Sequence, residues 1–203
     1  MAKVTTEQAR KLTNSTSSGY FSLKGDGDKA KVRFMYDKPS DIETFMVHEV
    51  KVGNFVKKID CLKDSEGNGT CPFCEKGIKK VAKTFFKLYN ADKNVVEVWE
   101  CGIKRAPMIE NILKMSRSPK LVNDCFEIVR HGQPNSTDTS YELLFQGADN
   151  ISLQDLPKAP EIYGKYILNK SVAEMEYYIT HNDFAPDNNK TSDVKPRNNR
   201  NVF

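Results

Sequence analysis

The sequence predicts a mainly β protein of the α+β class, in which short strands form a small barrel and a few helices are added. Apolar and polar residues alternate over residues 31–36, where Val32, Phe34 and Tyr36 share one face, as expected for a half-buried strand. Further strand-like segments follow at short intervals and are separated by tight turns. The chain has 203 residues, which is enough to bury a substantial core.

The chain is predicted to form one core flanked by two polar segments. Residues 1–18 are rich in Ser and Thr and are predicted to be a flexible N-terminal arm. The core spans residues 19–182, with a Cys- and His-bearing segment at about residues 46–82 and a C-terminal helical segment at about residues 155–182. Residues 183–203 are rich in Asn, Asp, Lys and Pro, so we predict a disordered tail.

The individual elements of the core follow from local patterns. After a turn at residues 25–28, strands are predicted at residues 31–36, 45–52, 55–61, 84–90, 95–101, 126–130 and 141–145. Pro107 suits the first turn of a helix that ends near residue 115, because proline there loses no helical hydrogen bond. Residues 61–74 are predicted to be a loop, and further helices are expected near residues 161–168 and 171–180.

The charge of the chain is unevenly distributed. Lys and Arg number 31 and Asp and Glu 27, which gives a net charge of +4 and a pI near 8.7. Residues 76–130 carry 12 basic and 6 acidic side chains, whereas residues 131–183 carry 3 basic and 8 acidic ones. The total neither requires nor excludes a polyanionic partner, and the basic middle is either an uneven solvated surface or a polyanion groove.

Targeting signals and cysteine usage narrow the class of protein. No stretch approaches the ~18 consecutive apolar residues of a membrane span, and the N-terminal residues contain no apolar signal region, so we expect a cytoplasmic protein without a membrane partner. The five cysteines are an odd number. In such a compartment, metal-binding thiols are favoured over a disulfide framework.

Four residues of metal-ligand type recur at a spacing typical of a metal site. His48, Cys61, Cys71 and Cys74 follow the pattern His-x12-Cys-x9-Cys-x2-Cys, and the last two form a Cys-x2-Cys knuckle. Three thiolates and one imidazole suit tetrahedral zinc, so we predict one zinc ion. Because four protein ligands leave no position open to activate water, the ion is predicted to be structural.

The alternative interpretation of His48 is an ordinary half-buried strand histidine, since it alternates with Met46 and Val50. Three cysteines follow within 26 residues of His48, and this favours the metal interpretation. Cys101 and Cys125 lie in apolar, strand-like segments and are predicted to be buried thiols that behave as small hydrophobic residues.

The same four residues do not match the motif of the zinc-dependent deaminases. Zinc deaminases carry His-x-Glu followed by Pro-Cys-x-x-Cys. Here Val50 occupies the position of the glutamate, Pro72 lies inside the cysteine pair, and Cys61 is a surplus ligand. The sequence also contains no phosphate-binding Walker loop, Gly-x-Ser-x-Gly or His-Glu-x-x-His motif, so we predict that the protein is not an enzyme.

The order and spacing of the four residues resemble the zinc subdomain of the single-stranded DNA-binding proteins of T-even bacteriophages, the helix-destabilising proteins. A weaker, colinear likeness includes the leading strand at residues 30–34, the aromatic strand after the knuckle, and the strands around Phe126 and Tyr141. The resemblance covers about residues 3–145 and is that of a relative from another phage lineage.

This resemblance implies an OB-fold barrel with an inserted structural zinc subdomain. It further implies a protein that coats and protects single-stranded DNA, without sequence preference, during phage DNA replication, recombination and repair in the cytoplasm of the infected bacterial host. In that family a basic arm contacts the neighbouring protomer along the strand, and Lys3, Thr5 and Thr6 are the similar positions here. The family's acidic tail recruits replication proteins, but residues 195–203 of this chain are basic, so we do not expect such partners to be recruited through the extreme C-terminal end.

A DNA-binding face requires cations that follow the phosphates and exposed aromatic rings on which bases stack. Phe85, Lys87 and Tyr89 alternate onto one face of a strand that we predict to contact DNA, with Phe86 and Leu88 on the core side. Further stacking rings are predicted at Trp99 and Tyr141, and further phosphate contacts at Lys31, Arg33, Lys104 and Arg105. The alternative for each aromatic residue is core packing.

Two other classes of function stay open. A zinc-stabilised protein-interaction module without nucleic-acid binding would use the same metal site, and the alternating aromatic and basic strand argues against it. A nuclease or other metal enzyme is disfavoured by the closed ligand set and by the lack of a compact acidic or histidine cluster. The predicted partners are therefore single-stranded DNA, further copies of the chain along the strand, and phage replication proteins.

Overall fold

The computed structural model describes residues 19–64, 66–136, 138–148 and 156–184. Its strands are β1 (Gly19–Tyr20), β2 (Lys29–Phe34), β3 (Thr44–Val52), β4 (Phe55–Asp60), β5 (Lys80–Asn90), β6 (Val95–Gly102), β7 (Asp124–His131) and β8 (Ser140–Ala148). Its α-helices are α1 (Pro72–Glu75), α2 (Ala106–Leu113) and α3 (Val172–His181), and 3-10 turns lie at Pro39–Asp41 and Leu121–Asn123. The predicted mainly β, α+β class is confirmed.

The eight strands form one mixed sheet. Its path runs β1-β6-β5-β2-β7-β8, and β3 joins β5 as a branch that also carries β4. Among the pairs of described strands, the short β1–β6 pair alone is parallel. Along its length β5 pairs first with β3, from Lys80 to Thr84, and then with β2, from Leu88 to Asn90. Over the described residues the main path ends at β1 and β8, and the branch ends at β4, so the sheet is not closed and the expected barrel is not confirmed.

The two faces of β5 are buried in different clusters. Phe86 and Leu88 lie on the face that packs against Phe34, Trp99 and α2. Phe85 lies on the opposite face, in a second cluster whose other members come from strands β3 and β6 and from the C-terminal segment: Phe45, Val47, Val98, Ile162, Tyr166 and Ile167. The predicted alternation along this strand is therefore confirmed, but both of its faces are covered.

The predicted strands are present, with bounds that differ by a few residues, whereas two other predictions are wrong. The segment at residues 61–74 is not only a loop, because α1 forms within it. The segment at residues 161–168 is not a helix. Gly164 adopts a left-handed φ of 82°, and the Leu168 backbone pairs with β4 through the Leu168 N–H to Lys58 O bond of 2.9 Å.

The helix predicted near residues 171–180 is confirmed as α3. Ser171 caps its N-terminus, and the Ser171 hydroxyl and Glu174 carboxylate each accept from the other's backbone N–H. Asn182, with a φ of 55°, ends the helix in a left-handed conformation. No helix in the described ranges combines the length and the apolar composition that crossing a bilayer requires.

Candidate metal centre and cationic cleft

The four residues predicted to bind a metal converge on one point. The Nε2 atom of His48 lies 3.5 Å from the sulfurs of Cys71 and Cys74, and the sulfur of Cys61 lies 3.6 Å from that of Cys74. All four ligand atoms lie within 4.8 Å of one another. A tetrahedral ion with metal–sulfur bonds of ~2.3 Å places its ligands roughly 3.5–3.8 Å apart, so the donor set fits a metal ion.

Three elements position these ligands. His48 lies in the middle of β3, and Cys61 directly follows β4, where its N–H donates to Met46 O at 3.0 Å. Cys71 is the N-cap residue of α1, and Cys74 lies within that helix. Gly77, at a φ of 74°, turns the chain sharply after α1, as only glycine does without strain. The knuckle is therefore a short helix held over the β3–β4 hairpin.

The protonation of the site suits metal binding. The Nδ1 atom of His48 lies 3.0 Å from Ile78 O, and since a carbonyl oxygen only accepts, Nδ1 carries the proton and Nε2 faces the thiols with its lone pair. Burial lowers the pKa of His48 and keeps the imidazole neutral. Burial and the neighbouring Cys61 and Cys71 thiols raise the pKa of Cys74 to about 12, so a cation is needed to hold it as a thiolate.

The C-terminal helix α3 covers the knuckle. Phe73, fully buried, contacts the His48 ring edge-on at 5.5 Å and the Tyr178 ring of α3 at the same distance. Met175 is also buried in this cluster, and the Tyr178 hydroxyl donates to Lys51 O at 2.7 Å. The candidate metal ligands, the β3–β4 hairpin and α3 therefore form one packed unit.

The two remaining cysteines lie outside this site, as predicted. Cys101 and Cys125 are buried in strands β6 and β7. Burial raises the pKa of Cys101 to about 12 and raises that of Cys125 as well. Both thiols are therefore protonated at neutral pH and act as packing groups.

Several residues predicted to contact DNA are buried, and the expectation that they are exposed is wrong. Phe85 is 1% exposed, Trp99 4%, Tyr89 5% and Arg33 1%. Residues 162–167 cover the Phe85 side of the sheet, and Trp99 packs edge-on against Phe21, with the ring centroids 5.6 Å apart. Arg33 donates to Val122 O at 3.2 Å. Single-sequence alternation identifies the face of a residue, but not what covers that face.

The other predicted contacts are accessible. Lys31 and Lys104 are exposed, while Lys87 is half-buried, with its ammonium 5.9 Å from the centre of the Tyr36 ring. Tyr141 is half-buried and contacts Trp99 edge-on, and the Arg105 guanidinium lies over the Tyr141 ring at 5.2 Å. The arm residues Lys3, Thr5 and Thr6 and most of the predicted tail lie outside the described residues.

Replacing Phe85 with leucine tests its burial directly. Because leucine keeps most of the buried apolar volume, we expect Phe85→Leu to lower the free energy of unfolding by about 1 kcal/mol. Leucine does not stack on bases, but since residue 85 is inaccessible, any affinity of the chain for nucleic acid should be the same in the variant and the wild type. Urea unfolding and a binding titration measure the two quantities. A large loss of affinity with unchanged stability would show that the ring is exposed to the ligand.

A cationic cleft of about 500 Å³ lies at the end of β5 nearest the metal centre. Its charged lining comprises one carboxylate, that of Glu49, and five cationic side chains: Lys79, Lys80, Lys83, Lys104 and Arg105. The strand β6 ends at Gly102, so residues 80–82 of β5 pair only with β3 among the described strands. The cleft is therefore a positively charged gap beside an open strand edge.

The cations of the cleft have different partners. Lys83 is bound by carboxylates, with its Nζ 2.8 Å from Glu49 and 2.9 Å from Glu100. Burial raises the pKa of Glu100, but this lysine and Lys58, at 2.6 Å, outweigh it and hold that pKa below its usual value. Within the described ranges, the exposed ammonium groups of Lys79, Lys80 and Lys104 form no ion pair.

Sequence reasoning predicted only part of this cleft. Lys104 and Arg105 were expected to bind phosphates, and the structure brings them beside residues 79–83. The contribution of Lys79, Lys80 and Lys83 was missed, although their signal is present as four lysines at positions 76, 79, 80 and 83. Arg105 is held in place by two hydrogen bonds to Thr139, at 2.9 Å to its carbonyl and 2.8 Å to its hydroxyl.

The fold and the site define a mainly β protein with a buried three-cysteine, one-histidine centre able to hold a metal ion, beside a cationic cleft. Comparisons with protein-family models, with curated proteins and with solved structures found no match to the chain.

Proposed function

We propose that this protein binds single-stranded DNA without sequence preference, and that it is not an enzyme. The observation that carries the proposal is the cleft beside β5, where three exposed lysines without ion pairs among the described residues face one gap. A gap that is cationic and not enclosed suits a continuous polyanion better than a small substrate. The half-buried Tyr141 ring, under the Arg105 guanidinium, lies beside this lining.

The metal ion in this proposal is one structural zinc. The ligands are three thiols and an imidazole, which is a common zinc set, and all four belong to the protein. Zinc binding would hold α1 over the β3–β4 hairpin, and Lys79 and Lys80 follow directly after Ile78, the residue that orients His48. The ion would thus stabilise one wall of the cleft and take no part in chemistry.

The mechanism requires only differential binding. A protein that binds the single strand and not the duplex shifts DNA melting toward the open form by mass action. The coating of DNA in phage replication, recombination and repair, an OB-fold arrangement of the strands, and self-association through Lys3, Thr5 and Thr6 belong to the same proposal. They rest on the resemblance described above.

Binding of a labelled oligo-dT and of a duplex of equal length, followed by fluorescence anisotropy, tests the proposal. We expect tight binding to oligo-dT, much weaker binding to the duplex, and an affinity that falls steeply as salt is raised. The label belongs on the DNA, because Trp99 is buried. A protein that binds neither ligand at low salt would instead favour the zinc-stabilised protein-interaction module.

A further inference from the structure

The β3–β4 hairpin ends in an exposed apolar tip. Phe55 is 70% exposed and Val56 58%, and among the aromatic side chains of the described residues Phe55 is the most exposed. Gly53, at a φ of 57°, and Asn54 form the turn that precedes them. No described element covers Phe55, and its ring belongs to none of the three buried clusters. Core packing therefore does not account for an aromatic residue at this position.

The charge around this tip is of one sign. Between Glu49 and Asp60 the chain contains three lysines and no acidic residue. Lys57 lies with its Nζ 5.7 Å from the centre of the Phe55 ring. Lys51 is paired with Val56 across the hairpin. Neither Lys51 nor Lys57 forms an ion pair with another described residue. The tip therefore combines an exposed ring with flanking cations, the two features that single-stranded nucleic acid requires.

The hairpin holds this ring in a defined place. Six residue pairs join β3 to β4, from Val47 opposite Asp60 to Val52 opposite Phe55. At its base, Val50 and Ile59 are buried in the cluster that surrounds the metal ligands. The tip is thus the end of a paired hairpin whose base is packed around the candidate metal ligands. Because the hairpin is already ordered, binding a ligand at the tip costs little conformational entropy.

The tip lies close to the cleft along the hairpin, within the reach of one extended ligand. Glu49 lines the cleft, and Val52, the partner of Phe55, lies three residues further along β3. At ~3.3 Å per residue, this separation along the strand is about 10 Å. Because side chains alternate, Glu49 and Lys51 lie on one face of the hairpin and Phe55 and Lys57 on the other, so a strand that contacts both places passes around the end of the hairpin. A protein partner is a poorer occupant, because one ring and one valine are far less than the ~800 Å² that each side of a stable protein interface buries.

We propose that Phe55 is a stacking platform for an unpaired base, with Lys51 and Lys57 contacting the adjacent phosphates; this inference rests on the proposed function. Loss of one stacked base weakens binding about 5- to 150-fold, so Phe55→Ala should lower the affinity for oligo-dT by that factor. Phe55→Tyr should keep it. Because the ring carries no charge, the dependence of affinity on salt should be the same in both variants and in the wild type.

Direct contact is measured with Phe55→Trp. The native Trp99 is buried and gives a constant background, so saturable quenching of the new tryptophan by oligo-dT, but not by duplex, supports the stacking role. The matched control is Phe145→Trp, at another exposed ring, on β8, whose emission oligo-dT should not quench. Melting curves check that every variant is folded.

The outcomes separate this inference from the proposed function. If the wild type binds oligo-dT and Phe55→Ala binds it equally well, or if the emission of Phe55→Trp does not change at saturation, the stacking role is overturned while the proposed function stands. If the wild type does not bind oligo-dT, the proposed function fails, and the inference fails with it.

Discussion

Replacing Cys71 with serine is expected to abolish binding of the proposed metal ion and to lower the melting temperature of the protein by about 10 °C or more. The Cys71 sulfur is fully buried and lies 3.5 Å from His48 Nε2. Losing it leaves three candidate ligands, and without the proposed ion Cys74 would no longer be held as a thiolate. The contacts of Phe73 with His48 and Tyr178 remain, but the cluster loses the ion proposed to join α1 to the β3–β4 hairpin.

The measurement is metal content together with thermal unfolding. Wild-type protein should contain one equivalent of metal, and Cys71→Ser should contain none. The matched control is Cys125→Ala, which also removes a buried thiol but lies on β7, outside the ligand set. It should keep one equivalent and lose only about 1 kcal/mol of stability. A Cys71→Ser protein that melts like the wild type after verified metal loss would contradict a structural role.

Reversing the three exposed charges of the cleft is expected to weaken binding to oligo-dT by about 100-fold or more at low salt. The variant is Lys79→Glu, Lys80→Glu and Lys104→Glu together. Each lysine that neutralises a phosphate contributes about 0.7 to the slope of log affinity against log salt concentration for a single strand, so the slope should fall by about 2. These side chains are exposed and form no ion pair with described residues, so the melting temperature should change little.

The control has the same change in net charge at other places. Lys24, Lys38 and Lys114 are exposed and lie outside the cleft. Replacing these three with glutamate should weaken binding only slightly, through the general field of the protein. Equal losses in the two triple variants would show that net charge, and not the cleft, determines affinity.

Much of the metal centre was predictable from the sequence. The Cys-x2-Cys knuckle is a local feature, since the two sulfurs belong to one short helical turn. The pairing of His48 with Ile59 on the next strand follows from a two-residue turn at Gly53 and Asn54, which itself has a recognisable sequence. Local turns therefore place β3, β4 and α1 next to one another, and the spacing of the four residues was sufficient to predict them as candidate ligands.

The nucleic-acid face was predicted less well, for a physical reason. Alternation correctly separated Phe85 from Phe86, but Phe85 is covered by residues about 80 positions later in the chain. The sequence predicted a helix at residues 161–168, and this wrong prediction gave no indication that the segment covers Phe85. Its apolar residues are compatible with a turn packed on the sheet as well as with a helix. Burial of both faces of β5 could not be inferred from β5 itself.

By itself, the sequence determined the mainly β class, most strand positions and the ligand set, because these depend on period, spacing and turn chemistry within short segments. Only the tertiary structure decided that Trp99 and Phe85 are core residues, that Lys79 and Lys80 face Lys104 across one cleft, and that Phe55 stands exposed at the end of an anchored hairpin. These depend on which distant segments pack together, and side-chain burial is a property of the assembled fold.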